Sequence, residues 1–351
     1  MYKTANIRMN LQKIDYADGF LKRILSIIIL STILSYNTIS TVSSEVIIPT
    51  ARFGTSSVGS TFYVIANGLG NLIQKHAGIN MTVEPIGGSY ANIFSLNADK
   101  IDYAITNSGA AFDGYYGVKP FERKVNIALI AQGQPSYRFI LVRRDEHINT
   151  VNDLNGKILI GRRPALPEIN AITNALLNTV NLTDINIVST KNTKESLRHI
   201  RSGTVDGAII PGGSRVPAVV QLFRDKLVDP LYLPDNIIKE MQKKLPPYIY
   251  TQEFPAGHFE GQREKLTVLG LNTYFITTLH TPEEQVYLIT KTLFEHKREF
   301  FAFHNEAKKW TLSNTLTDPK IPYHPGAIRY FKEEGLWTLN LEVIQNKLLS
   351  E

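Results

Sequence analysis

Cysteine is missing from all 351 residues of the chain. Its absence excludes disulfide bonds, thiolate metal ligands and a lipid-modified cysteine at an exported N-terminus. It also excludes a cysteine nucleophile. Binding or chemistry in this protein therefore depends on hydroxyl, amide, carboxylate, imidazole and cationic side chains, together with the backbone.

Long apolar runs are also scarce. The run Ile24–Leu34 is about eleven residues long and follows Lys22-Arg23, whereas a membrane-spanning helix needs about 20 residues. Small residues come next, and Val42-Ser43-Ser44 is an acceptable cleavage site. We predict that residues 1–44 are an N-terminal extension with a signal peptide and that a soluble, non-lipidated protein reaches the periplasm. Retention of the segment as an uncleaved anchor is the alternative.

Clustered charge is a further absence. The net charge is +6 and the isoelectric point is about 9.2, but the basic residues are scattered and no cluster is interleaved with aromatic residues. The sequence therefore predicts no nucleic-acid partner. Mild basicity is usually solvated surface, and it also favours an acidic ligand. Roughly 300 residues follow the predicted signal peptide, which is more than one core usually serves, so we expect two lobes.

The first half of the chain contains three similar segments, each with a short strand, a turn of glycine, serine or asparagine, and a helix start. The first is Gly54–Tyr63, which follows the apolar run Val46–Ile48. The other two are Val83–Asn92 and Lys100–Ser108. Such turns direct unpaired backbone N–H groups outward, where they can hold an anionic or polar group. Three of them indicate a polar binding crevice.

Strand and helix patterns alternate along the rest of the chain, which predicts an α/β fold. Apolar spacing predicts a helix from Phe62 to His76 with Gly78 as its stop. Two separate strands are expected at Asn126–Gln132 and Phe139–Val142. Further strands are predicted at Lys157–Gly161, Ile185–Val188 and Asp206–Ile210, the last stopped by Pro211-Gly212-Gly213, and further helices at Val151–Gly156, Ile169–Asn181 and Thr193–Arg201.

One sequence pattern is repeated in the two halves of the chain. Leu96–Ile105 and Ile200–Ile209 each read as a helix followed by a strand with an aspartate at its start. Asp102 and Asp206 could be a catalytic pair, but aspartate at a tight turn usually accepts hydrogen bonds from backbone N–H groups. We favour that capping role. Two similar lobes would enclose a crevice lined by loops at the carboxyl ends of their strands.

Several motifs, in their order and spacing, resemble one family of transport receptors. They are Gly54-Thr55, Gly87-Gly88-Ser89 with Asn92, Asn107-Ser108 before Tyr115-Tyr116-Gly117, Asp206-Gly207-Ala208 with Gly212-Gly213, Pro255-Ala256-Gly257 with Gly261-Gln262, Val286-Tyr287 with Thr290-Lys291, and Pro322–Ala327. From about Phe53 to Gly335 the chain resembles the substrate-binding subunit of a TRAP transporter of the TAXI family. The resemblance implies a two-lobed periplasmic-binding-protein fold, type II-like, with the ligand between the lobes. It also implies an integral membrane permease driven by an ion gradient as the partner.

The chain departs from the family pattern at several positions. It has Val58, Ile86 and Gly109 where the family usually has threonine, threonine and aspartate, and Phe62 in place of tyrosine. The second-lobe turn, usually rich in glycine, serine and threonine, is replaced by Gly161–Glu168 with two arginines and two prolines. Family members are associated with glutamate-like and dicarboxylate compounds, but these departures mean that ligand identity does not carry over.

The candidate ligand-binding residues come from both halves. They are Thr55, Ser57, Tyr63, Gly87, Gly88, Ser89, Asn92, Asn107, Ser108, Arg162, Arg163, Gly212 and Gly213. For most of them a purely structural role is the alternative to ligand contact. Gly87 and Gly88 could simply shape a turn, and Ser89 and Asn92 could cap a helix. Tyr63 could pack in the core, and the two arginines could be surface charges. His324, between two prolines, is interpreted as a packing residue.

We expect residues 45–142 to begin lobe I, residues 143–266 to form lobe II, and residues 267–351 to return mainly to lobe I. The predicted function is capture of a small organic anion by a monomeric receptor, with no cofactor and no metal. A receptor of an ATP-driven importer for a small anion is the alternative. An enzyme is a weaker one, because the sequence has no Gly-x-Ser-x-Gly elbow, no His-Glu-x-x-His helix and no histidines at metal spacing.

Overall fold

A computed structural model describes residues 50–213, 217–259 and 262–351. The predicted signal peptide and its cleavage site lie outside the described residues. Within the described ranges, no helix is both long enough and apolar enough to cross a membrane.

Ten strands and twelve α-helices are assigned in these ranges. The strands are β1 Thr50–Thr55, β2 Asn80–Pro85, β3 Tyr103–Asn107, β4 Ile127–Arg143, β5 Ile158–Arg162, β6 Asn186–Ser189, β7 Gly207–Gly212, β8 Val228–Pro230, β9 Tyr250–Phe254 and β10 Leu266–Thr278. The helices are α1 Thr61–Ala77, α2 Ser89–Asn97, α3 Ser108–Tyr116, α4 Pro167–Val180, α5 Thr193–Ser202, α6 Pro217–Arg224, α7 Asp235–Gln242, α8 Glu283–Glu295, α9 Lys297–Phe301, α10 Leu312–Thr315, α11 Pro325–Glu333 and α12 Leu339–Ser350. Short 3-10 helices lie at Arg144–Glu146, Val151–Leu154 and Asn305–Lys309.

The strands form one sheet whose two ends repeat the same order. Along the sheet the order is β2-β1-β3-β10-β4-β7-β5-β6, with β8 paired to β4 and β9 to β10. Each end has three parallel strands, β2-β1-β3 and β6-β5-β7. In each half an antiparallel long strand follows, β10 beside β3 and β4 beside β7. This arrangement confirms the predicted α/β class with two similar halves.

The prediction of two separate strands around Gln132 and Phe139 is wrong, because β4 runs without a break from Ile127 to Arg143. Gly133 and Pro135 suggested a break, but antiparallel pairing with β10 carries the chain through them. The pairing shifts register between Asn272 and Tyr274 of β10, opposite this segment. Proline is tolerated at such irregularities because no ladder hydrogen bond is required of its nitrogen. The predicted stop at Pro211 is also wrong: β7 continues to Gly212, and Pro211 and Gly212 pair with Arg138 and Tyr137 of β4.

Buried apolar residues fall into separate cores on the two halves of the long strands. One core packs residues 127–131 of β4 against α1, α8 and the C-terminal helices, with Phe53 and Trp310 fully buried in it. Two others contain residues 137–142 of β4, whose side chains alternate between the two faces of the sheet. The segment between them, residues 132–136, carries the polar side chains Gln132, Gln134 and Ser136.

The two aspartates of the repeated sequence pattern occupy equivalent positions in the two halves. Asp102 accepts a hydrogen bond from Arg52 N at 2.7 Å, and Asp206 accepts one from Ile158 N at 2.7 Å. Each thereby binds the start of the parallel strand beside its own. These bonds confirm the capping interpretation, and they place both carboxylates at the opposite end of the strands from the loops that open helices.

Helix ends follow the predicted signals. The helix expected at Phe62–His76 spans Thr61–Ala77; Ser60 Oγ accepts from Tyr63 N, and Gly78 ends the helix in the left-handed conformation at φ 69°. His324 caps α11, since its Nδ1 accepts from Gly326 N at 3.1 Å. Its Nε2 donates to the carbonyl of Thr281 at 3.0 Å, which confirms the packing role predicted for this histidine.

Candidate functional site

A cleft of about 1150 Å³ opens between the two halves of the sheet. It is lined by Ser56, Ser60, Thr61, Phe62, Gln134, Pro135, Ser136, Arg163, Leu166, Thr193, Pro211, Gly212, Gly213, Thr273, Phe301, Ala302, His304, Asn305, Glu306, Lys308 and Lys309. The lining comes from the β1–α1 turn, the middle of β4 and β10, the β5–α4 loop, the ends of β7 and α5, and the segment after α9. Residues of both halves therefore face one polar space.

The β1–α1 turn contributes hydroxyl groups to one wall. Ser56, Ser60 and Thr61 line the cleft. Thr55, the last residue of β1, is fully buried, and its Oγ1 has no hydrogen-bond partner among the described residues. Ser57 is exposed at the tip of the turn and is not among the lining residues. This wall offers small neutral groups and no charge.

The floor of the cleft comes from the polar middle of β4 and the adjoining part of β10. Trp310 Nε1 donates to Gln134 Oε1 at 2.6 Å, so the amide of Gln134 is held with its nitrogen on the other side. That buried Nε2 and the Oγ1 of Thr273 have no partner among the described residues. A Cβ at Gly133 would overlap the indole ring of Trp310. Only glycine allows the tryptophan to lie against β4 in this way.

Arg163 supplies the cationic wall. Its Nη1 donates to Thr193 Oγ1 at 2.9 Å, while its buried Nε has no partner in the described ranges. Burial, and then the positive charge of Arg138, lower the pKa of Arg163. A guanidinium in this condition gains from an anionic partner. Its neighbour Arg162 is exposed and is not among the lining residues.

The segment after α9 forms the remaining wall, with His304, Glu306, Lys308 and Lys309. His304 Nδ1 accepts from Glu306 N at 3.0 Å. Burial raises the pKa of Glu306. Gly213 of the other half lies opposite, because a Cβ placed on it would be 3.1 Å from Glu306 Oε1.

Five other predicted site residues lie in the first half of the chain, and the side chains of four of them make hydrogen bonds. Ser89 Oγ accepts from Asn107 N at 3.0 Å, and Asn107 accepts from Ala110 N as the cap of α3. Asn92 donates to the carbonyl of Ile105 at 2.8 Å, and Ser108 Oγ accepts from Asn272 N at 3.1 Å. Tyr63 is half-buried.

None of these five is among the residues lining the cleft, and neither are Gly87 and Gly88, whose φ values are 123° and 128°. Such φ values are accessible mainly to glycine. The role of these residues in ligand contact stays a prediction.

A buried polar cluster that sequence reasoning missed adjoins the cleft. Arg138 and Glu168 form an ion pair, with 1% of each side chain exposed. Tyr90 donates to Asp113 Oδ2 at 2.6 Å. Burial, partly offset by this hydrogen bond and reinforced by the charge of Glu168, raises the pKa of Asp113 to about 6. Sequence reasoning missed the pair because Arg138 lies inside an apolar strand, and Glu168 ends the Gly161–Glu168 segment, which stands out for its two arginines.

A family model described as NMT1-like matches residues 53–335. The chain belongs to the NMT1-like family. Three solved structures also resemble it. Periplasmic binding protein BugD is 12% identical, with 86% of this chain and 97% of that chain covered and a TM-score of 0.49. MatC from Rhodopseudomonas palustris with bound malate is 11% identical, covering 82% and 97%, at 0.48. The alkanesulfonate-binding protein SsuA from Xanthomonas axonopodis pv. citri, bound to MOPS, is 14% identical, covering 85% and 94%, at 0.42.

The cleft of this NMT1-like protein is equipped for binding. Its unpartnered buried groups include the donors Gln134 Nε2 and Arg163 Nε and the hydroxyl of Thr273. Donors held without partners bind an incoming acceptor at little cost of rearrangement. Among the described residues, no group of three or more histidines and carboxylates is placed to hold a metal ion.

Proposed function

We propose that this NMT1-like protein is an extracytoplasmic solute receptor that captures a small organic anion, a carboxylate or dicarboxylate, and delivers it to an ion-gradient-driven membrane transporter of the TRAP type. The observation that carries the proposal is the buried, unpartnered Nε of Arg163 beside a cleft floored by the free amide nitrogen of Gln134. The TRAP partner rests on the motif resemblance alone.

The charge and geometry of Arg163 favour an acid group as the ligand's end. Its Nη1 is already fixed by Thr193, so the guanidinium plane is held in place. A planar guanidinium can donate two parallel hydrogen bonds to a carboxylate or sulfonate. Because burial disfavours an isolated charge, a bound anion would offset the cost of burying the Arg163 guanidinium.

Capture in this proposal involves no covalent step. The floor residues Gln134 and Thr273 belong to the strands that join the two halves, whereas Arg163 and the β1–α1 turn lie on opposite sides. A ligand touching both sides favours the closed arrangement through the extra contacts it makes there. The ligand should leave unchanged, which mass spectrometry of bound and released compound tests directly.

Titration calorimetry with a panel of small carboxylates and sulfonates tests the binding site. We expect Arg163→Ala to lose about 2–5 kcal/mol of binding free energy, or on the order of 30- to several-thousand-fold in affinity. Arg162→Ala is the matched control, because it removes an exposed arginine next in sequence. We expect it to bind within about twofold of the wild type.

Two outcomes would contradict the proposal. Equal affinities of Arg163→Ala and the wild type would mean that the guanidinium does not hold the ligand. Selection of cationic or purely apolar compounds alone would exclude an organic anion.

A further inference from the structure

Glu306 is the one carboxylate among the lining residues of the cleft. Within the described parts of the chain its oxygens accept no hydrogen bond and join no ion pair. Its Oε1 lies over the backbone of Gly213, on the opposite wall, where a Cβ would be 3.1 Å away. A half-buried carboxylate therefore reaches across a cleft whose other unpartnered groups are mainly donors.

The nearby cations leave Glu306 unpaired. His304 Nδ1 accepts a hydrogen bond from the backbone N–H of Glu306. That ring nitrogen therefore carries no proton that it could donate to the carboxylate. Lys308 and Lys309 are exposed, and neither comes within ion-pair distance of the carboxylate. Burial raises the pKa of Glu306, while His304 and Lys309 lower it.

The segment that carries Glu306 is firmly held. Trp310, fully buried, lies against Gly133 and bonds Gln134, and Ala307 is buried in the first core. The 3-10 turn Asn305–Lys309 is therefore attached to β4 at both its middle and its end. Glu306 has a defined position in the wall, as a recognition group needs.

We propose that Glu306 accepts a cationic amino group of the ligand, so that the ligand class is a small zwitterion whose acid group is held by Arg163. The inference rests on the proposed function and names the ligand class of that same cleft. A purely anionic ligand would leave the carboxylate unpaired and would be repelled by it. An ammonium group supplies the three donors that the carboxylate lacks, and each charge on the ligand then meets its opposite.

Matched pairs of compounds that differ by one amino group test this directly. The probes are L-glutamate against glutarate, taurine against ethanesulfonate, and β-alanine against propionate, titrated into the purified protein by calorimetry. We expect the amino member of each binding pair to bind at least about tenfold more tightly than its partner. In Glu306→Gln the ratio should fall towards one, because the amide keeps the shape and loses the charge. Glu122→Gln, at an exposed position outside the cleft lining, is the matched control and should keep the wild-type ratio.

The two proposals fail in different ways. If wild-type protein binds glutarate, ethanesulfonate or propionate as tightly as the amino partner, or if Glu306→Gln keeps the preference, the zwitterion inference is wrong. Loss of that acid binding in Arg163→Ala would still support the anion receptor. Binding of none of the six probes at millimolar concentration would overturn both.

Discussion

At the scale of single residues, a buried ion pair between Arg138 and Glu168 stabilises the middle of the molecule. Arg138 donates through Nε and Nη2 to Glu168 Oε1 and through Nη1 to Ser136 Oγ and the carbonyl of Tyr137. These bonds satisfy a guanidinium inside an apolar strand. They also tie α4, which carries Glu168, to β4 at the side of the cleft where Arg163 lies.

Glu168→Gln tests how much the fold depends on this pair. Neutralising one partner leaves the buried guanidinium of Arg138 without its countercharge, so we expect the free energy of unfolding to fall by about 3–5 kcal/mol. Urea denaturation followed by circular dichroism measures it. Glu240→Gln removes a carboxylate from an exposed pair with Lys243 and should leave the urea midpoint unchanged. A small effect at Glu168 would mean that water or rearrangement relieves the arginine.

At the scale of elements, helix starts are fixed by specific side chains. The imidazole of His324 both caps α11 and holds the Thr281 carbonyl before α8. Together the two contacts need the neutral ring with its proton on Nε2, because Nδ1 can accept a hydrogen bond only when it is unprotonated. Gly326 lies in the first turn of α11, where a Cβ would meet the backbone nitrogen of Tyr287 at 2.7 Å, so the two helices approach as closely as their backbones allow.

The stability that His324 contributes should depend on pH. Burial lowers its pKa to about 4 from an ordinary value of 6.5. Between these values the unfolded chain binds a proton that the folded chain does not, so the contribution is present above pH 6.5 and is lost as the pH falls towards 4. We expect the unfolding free-energy difference between wild type and His324→Gln to be largest near pH 7 and to shrink by pH 4.

Urea unfolding at several pH values measures that difference. His280→Gln is the control, at an exposed histidine bonded only to the Asn126 side chain, and its difference from the wild type should stay nearly constant. A pH-independent difference at position 324 would argue against a buried neutral imidazole.

At the scale of the whole molecule, β4 and β10 pass from one core to the other. Residues 127–131 belong to the first core and residues 137–142 to the others. The register of the two strands shifts opposite Gln132–Pro135. We propose this irregular segment as the pivot of lobe closure, earlier on β4 than the predicted crossing at Val142-Arg143. The predicted lobe limits stay predictions.

Small-angle scattering tests the closure. If two strands act as a hinge in which a few residues absorb the rotation, the radius of gyration should decrease when the ligand identified by calorimetry saturates the protein. Arg163→Ala at the same ligand concentration should keep the profile of the free protein. Identical profiles of the wild type with and without saturating ligand would contradict the hinge.

Much of the fold was predictable because it depends on local signals. Ser60 and Gly78 bound the first helix, and alternating strands and helices indicate the α/β class. The repeated aspartates indicate two similar halves because each caps the neighbouring strand. The continuous β4 was not predictable, since its Gly133 and Pro135 favour a break and only pairing with β10 overrides them.

The candidate site was likewise predictable from the sequence only in part. The sequence alone determined which turns open helices and that Arg163 and Gly213 lie beyond the carboxyl ends of strands. Tertiary structure decided that Arg163 rather than Arg162 faces the cleft and that Glu306 faces Gly213. It also decided that Ser89 Oγ accepts a hydrogen bond from the backbone nitrogen of Asn107. Gly213 and Glu306 belong to elements that are far apart in the chain and meet only through tertiary packing, and no local pattern encodes such contacts.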